Sequence, residues 1–162
     1  ISNIAMKKTP LLGLIILSLL LSCQKETDST SERTKKLMGS VWQISGASID
    51  PPLYSSLLGS TTNDYFTYFV RDCVYDNLIR FLPNNIRQTD EADLKCDPND
   101  PQTFEDYWQL SLDEAFIQTA AADSTVFINY EIKTLTNYTL EVSYIQNFNN
   151  NDHLIEARYH AK

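Results

Sequence analysis

The chain reads as all-β: one domain folded as an eight-stranded antiparallel up-and-down barrel, with a short helix in an insertion at residues 53–72. Three observations predict this. Apolar and polar residues alternate through the last three hydrophobic runs, which is the period of a half-buried strand and not of a helix. Turn-forming residues separate successive runs, so neighbours in sequence pair as hairpins. The 140 residues after position 22 suit one domain with one core. Short sequential strands joined by hairpins, each dry on one face, close into a barrel more readily than they form a sandwich.

The first strand is expected over 41–49, with Trp42 and Ile44 on one face, ending at Asp50-Pro51-Pro52 because proline lacks the N–H a ladder needs. Within 53–72, Asn63-Asp64 is positioned to cap a helix that carries Phe66, Phe69 and Val70 on one side. Strands over 77–83 and 86–91 flank Asn84-Asn85, a two-residue turn in which asparagine tolerates positive φ. Cys96-Asp97-Pro98-Asn99-Asp100-Pro101 is a rigid loop. Further strands are read over 106–112, 115–119, 126–135, 138–146 and 153–161. Asn137 marks a tight hairpin and residues 147–152 a longer polar loop. The last three strands put Ile128, Tyr130 and Ile132, then Leu140, Val142 and Tyr144, then Ile155, Ala157 and Tyr159 on the dry face.

Residues 1–22 have the parts of a secretory signal: Lys7-Lys8, a short apolar run, and a small residue before the cut. Met6 is the expected start, since the lysine pair belongs directly after an initiator. The run over 11–21 is too short to span a bilayer, which needs about 20 apolar residues. Leu20-Leu21-Ser22-Cys23 resembles the lipobox of bacterial lipoproteins, and the resemblance implies a lipidated Cys23 as the membrane attachment. Residues 24–36 contain no apolar side chain, so 23–36 is expected to be a lipidated cysteine and flexible tether, and 37–162 the barrel domain. Cys23-Gln24-Lys25-Glu26 resembles in part an export signal of Gram-negative bacteria. It implies an outer-membrane lipoprotein facing outward, and without it the domain hangs in the periplasm. Asp28-Ser29-Thr30 and Asp123-Ser124-Thr125 resemble bacterial glycosylation triplets.

Loss of Lys7 and Lys8 leaves 11 of 13 basic residues against 21 acidic ones, a formal charge of −10. Such a chain repels nucleic acid and anionic headgroups alike, so membrane contact is expected through acyl chains and not a basic patch. With Cys23 acylated, Cys73 and Cys96 remain as one pair in an oxidising compartment, which favours a disulfide. The alternative, thiolates on a metal, lacks nearby histidines, because His153 and His160 are distant and no Cys-x-x-Cys occurs.

Leu37-x-Gly39-x-x-Trp42, Cys73-x-x-Asp76-Asn77 with Phe81 and Asn84-Asn85, Cys96-Asp97-Pro98-x-Asp100-Pro101 and Trp108-x-Leu110 together resemble the lipocalin-like domain lipoproteins of Gram-negative bacteria. The resemblance covers most of 37–112 and implies an antiparallel barrel, with no established ligand for most members. A barrel of this size either fills with side chains or holds one small ligand. Ligand-contacting candidates on the inward face are Trp42, Phe81, Trp108, Tyr130, Tyr144 and Tyr159, the tyrosines because buried hydroxyls need partners. Packing is the plainer role for each. The acidic stretches Asp90-Glu91-Ala92-Asp93 and Asp97-Pro98-Asn99-Asp100 offer oxygens to calcium but lack an EF-hand pattern, and turn chemistry explains them as well.

No catalytic motif, cofactor loop or zinc signature is present. The function expected first is a lipid-anchored barrel binding a small, partly hydrophobic ligand; the alternative is a non-enzymatic interaction or structural module docking an envelope partner. An exposed patch of Tyr65, Phe66, Tyr68 and Phe69 would favour the second.

Overall fold

The computed structural model describes residues 30–121 and 124–162. The signal stretch, Cys23, the start of the tether and Asp123 lie outside the described residues. The elements are α1 (Glu32–Met38), β1 (Val41–Ser55), β2 (Ser60–Asp64), α2 (Tyr65–Phe69), β3 (Leu78–Leu82), β4 (Ile86–Asp90), β5 (Thr103–Leu110), β6 (Phe116–Ala120), β7 (Ile128–Leu135), β8 (Thr139–Phe148) and β9 (Asn151–Ala161). Each strand pairs antiparallel with the next from β3 to β9, β3 pairs with β1, and β9 returns to β1. Eight strands thus close an antiparallel barrel, and β2 is an extra strand on the far half of β1.

Alternation sets which side chains fill the interior. Residues opposed across a ladder share a face, so the register Trp42↔Ile79, Phe81↔Arg87↔Asp106, Trp108↔Thr119, Ile117↔Tyr130, Ile132↔Val142↔Ala157 and Leu140↔Tyr159 defines the inner wall. Leu37, Trp42, Phe81, Trp108, Ile117, Leu140, Val142 and Ala157 form its buried centre.

Four local expectations need correction. Residues 32–36, read as tether, are helical: Ser31 caps α1 by accepting from Thr34 N at 3.0 Å, and the helix closes one end of the barrel with Leu37, which is 0% exposed. Composition hid this because a single buried residue, worth about 2 kcal/mol, docks an otherwise solvated helix. Gly39 ends it; a Cβ there would stand 2.8 Å from Lys35 O. β1 does not stop at the prolines but runs through them to Ser55. Its pairing with β2 is interrupted between Ser48 and Leu53, so the missing donors fall where β2 is not bonded.

The β3–β4 connection has three residues, Pro83, Asn84 and Asn85, because Leu82 pairs with Ile86. Both asparagines do have positive φ, 61° and 63°. The residues 147–152 are not a long loop: Asn147↔Asp152 and Phe148↔Asn151 stay paired, and the turn is only Asn149-Asn150, at φ 52° and 64°. Asparagine tolerates that region, as a two-residue primed turn requires.

Asp64 caps α2 as expected, accepting from Thr67 N at 2.9 Å. The Sγ atoms of Cys73 and Cys96 lie 1.95 Å apart, at disulfide distance, and tie the segment before β3 to the loop after β4.

Candidate functional sites

Of the six nominated residues, four border one internal cavity: Trp42, Phe81, Tyr130 and Tyr159, together with Arg87 and Thr119. The other two pack beside it, Trp108 edge-on to Phe81 at 4.9 Å and Tyr144 edge-on to Tyr130 at 4.9 Å. The cavity measures about 50 Å³. Ligand pockets commonly hold roughly 300–1,000 Å³, so this space suits a group of a few atoms and not a drug-sized molecule. Both indoles are satisfied within the wall: Trp42 Nε1 donates to Leu37 O at 2.9 Å and Trp108 Nε1 to Leu82 O at 3.1 Å.

Arg87 escaped sequence reasoning, and the three-residue turn explains why. A two-residue turn at Asn84-Asn85 would have paired Arg87 with Leu82 and sent it outward. The extra residue slips the register by one and flips every side chain of β4 to the other face. Inside, Arg87 Nε donates to Asp106 Oδ1 at 2.8 Å and its Nη2 bonds Oδ2, a bidentate pair in the barrel wall. Burial pulls the guanidinium pKa down, but hydrogen bonds and charge from Asp106, with help from Tyr130, hold it above its ordinary value. The cation is therefore already matched.

The tyrosines are the less satisfied part. Neither Tyr144 nor Tyr159 makes a side-chain hydrogen bond among the described residues. Burial, followed by the nearby Tyr130, pushes Tyr159 up to about 12; burial and then Tyr159, Tyr130 and Tyr65 push Tyr144 up as well. A raised tyrosine pKa means that the fold favours the neutral phenol, so the associated stability is present below the unfolded value of about 10 and is lost as pH rises through the folded one. In an alkaline titration, part of the tyrosinate absorbance should therefore appear only together with loss of the circular dichroism signal, between about pH 10 and 12. Complete ionisation with the fold intact would show that these rings are not enclosed.

The rings of α2 do not make an exposed patch. Tyr65, Phe66, Tyr68 and Phe69 are all half-buried, with Tyr65 stacked on Phe69 at 5.7 Å and Phe66 on Tyr75 at 4.5 Å. The apolar surface lies on the outer wall instead. A groove of about 470 Å³ runs over β6 to β9, lined by Phe116, Phe127, Ile128, Ile145 and Leu154, with Asn129, Glu131 and Ser143 among its polar neighbours. Ile145 and Leu154 are cross-strand partners facing out, and Ile145 is 60% exposed. Val126 beside the groove is 73% exposed, and Phe127 leans on Tyr107 at 5.8 Å. The signal for this groove was present: Phe116, Ile145 and Leu154 fall on the polar side of their strands.

The acidic stretches are engaged in turns. Asp90 Oδ1 accepts from Ala92 N at 3.0 Å and Gln102 Nε2 at 2.8 Å, and Asp97 Oδ1 from Asn99 N at 2.8 Å. Among the described residues, four buried oxygens lack partners: Gln43 Oε1, Asp76 Oδ1, Asn77 Oδ1 and Glu91 Oε2. Gln43 Nε2 donates to Tyr75 O at 2.7 Å, which places that side chain beside the Asp76-Asn77 segment. Among the described residues no three His, Cys, Asp or Glu side chains gather as a metal set. His153 is buried, its Nδ1 2.7 Å from Pro51 O, and His160 stands on the opposite face of β9.

No protein-family model matches the chain, and no curated protein matches its sequence.

Proposed function

We propose that this is a lipid-anchored cell-envelope protein of a Gram-negative bacterium that acts by non-covalent binding, as an interaction module of the outer membrane. The single observation that carries the binding role is the apolar groove over β6 to β9, far roomier than the barrel interior. Its partner is an apolar segment of another envelope protein. Aliphatic and aromatic side chains form the floor, and Asn129 and Glu131 supply the polar rim expected of such an interface. The anchor rests on Leu20-Leu21-Ser22-Cys23 and the short apolar run before it.

Photo-crosslinking in the native host tests this. A photoreactive residue at Ile145 should give a discrete heavier adduct, while one at Gln88, on the outward face of β4, should give none. Equal adducts from both positions, or none from Ile145, would sink the proposal.

A second reading, a lipocalin-like barrel holding a small, partly hydrophobic ligand, is favoured by Tyr159, which borders the cavity and whose hydroxyl has no hydrogen-bond partner among the described residues. Native mass spectrometry of protein purified from its host separates the two. A co-purifying small molecule released on denaturation supports the ligand; a mass equal to the processed chain alone, in every preparation, counts against it.

A further inference from the structure

The net charge suggests a surface that anionic membranes repel, yet the charges are not spread evenly. At the end of the barrel closed by α1, a groove of about 850 Å³ is bordered by Lys35, Lys36, Arg80 and Lys162 and by one acid, Glu32. Lys35 is paired with Glu32 at 3.3 Å and Arg80 approaches Asp90 at 3.6 Å. Lys36 and Lys162 make no ion pair among the described residues. Tyr138, 77% exposed, stands on the rim. The acid-rich loop over 91–102 follows β4, whose far end points the other way.

We infer that this basic groove docks on the phosphate-bearing surface of the membrane that holds the anchor. The inference rests on the lipid-anchor reading given above. Chain continuity brings this end within reach of the bilayer: α1 begins nine residues after Cys23, and nine residues span at most about 32 Å. Charge complementarity selects the occupant. Charges beyond a Debye length of about 8 Å are screened at physiological salt. Strands of eight to eleven residues, such as β5 and β9, are each well over 20 Å long at about 3.3 Å per residue. The acidic loop at the far end is therefore not felt at the membrane; at the near end Glu32, with Asp113 and Glu114 in the β5–β6 turn that Arg33 touches, opposes Arg33, Lys35, Lys36, Arg80 and Lys162, and the balance there stays basic. Lysines with long apolar stems and an exposed tyrosine are also the side chains that settle at a headgroup layer.

The test uses the whole chain from position 23 with Cys23→Ser, so that no acyl chain contributes, and measures sedimentation with vesicles. Binding is expected to phosphatidylcholine vesicles that contain phosphatidylglycerol, not to phosphatidylcholine alone, and to be lost in high salt. Each basic residue at an anionic surface is worth roughly fivefold in partitioning, so the double reversal Lys36→Glu with Lys162→Glu should weaken binding by more than about 20-fold. Lys95→Glu, in the loop at the far end of the barrel, should leave it within about twofold. Equal partitioning onto neutral and anionic vesicles would overturn the inference. So would a double variant with wild-type circular dichroism that binds as well as its parent. Failure of the anchor reading is seen separately, as no Cys23-dependent incorporation of an alkyne-bearing fatty acid in the host.

Discussion

Trp42→Ala is expected to cost about 3–5 kcal/mol, a large share of the stability a domain of this size possesses. Trp42 is 0% exposed and sits at the seam where β1 bonds β3 on one side and β9 on the other, opposite Ile79 and Ala161. Truncation leaves a void in the most tightly enclosed part of the barrel and strips Leu37 O of its donor, loosening α1 as well. Trp42→Phe keeps part of the ring packing but loses the hydrogen bond and the second ring of the indole, and an intermediate loss of about 2–3 kcal/mol is expected. Urea unfolding with unchanged slope reads both values. A loss below about 1 kcal/mol for Trp42→Ala would mean that α1 and the barrel seam are not packed in this way.

Removing the Cys73 to Cys96 link by changing both to serine should cost about 3 kcal/mol, from the entropy returned to the unfolded chain by opening a loop of sequence separation 23. At this domain size the midpoint of thermal unfolding should fall by about 10 °C. The link does not act alone, since Asp76 Oδ2 accepts from Asp93 N at 2.9 Å and Leu94 N at 3.0 Å across the same junction. Wild-type protein treated with reductant should behave like the double variant. An unchanged midpoint in both would show that these carboxylate bonds already hold the junction closed.

The barrel was legible because alternation is a property of local sequence: the inward sets on β7, β8 and β9 could be read directly. What escaped depended on pairing that no single strand encodes. The prolines looked like a stop because their missing donors count only if a neighbour needs them, and there β2 does not. Arg87 was not singled out because the length of one turn decides the face of a whole strand. Helix α1 was invisible in a polar run because one leucine docks it. The uneven charge was invisible for a related reason. Lys36, Arg80 and Lys162 come from three distant parts of the chain and meet only when β9 closes on β1 and α1 covers that end.

That closure also has a kinetic side. Trp42 pairs with Ala161 and Asp50 with Leu154, so the contacts that finish the barrel join segments more than a hundred residues apart. Non-local pairing of this kind is slow, because the entropy of closing the chain is spent before the contacts return it. A nascent chain lacking β9 leaves β1 and β8 with open edges, the state most prone to pair with the wrong strand. The native barrel is thus a late event in the life of this chain, completed only when its final strand is free.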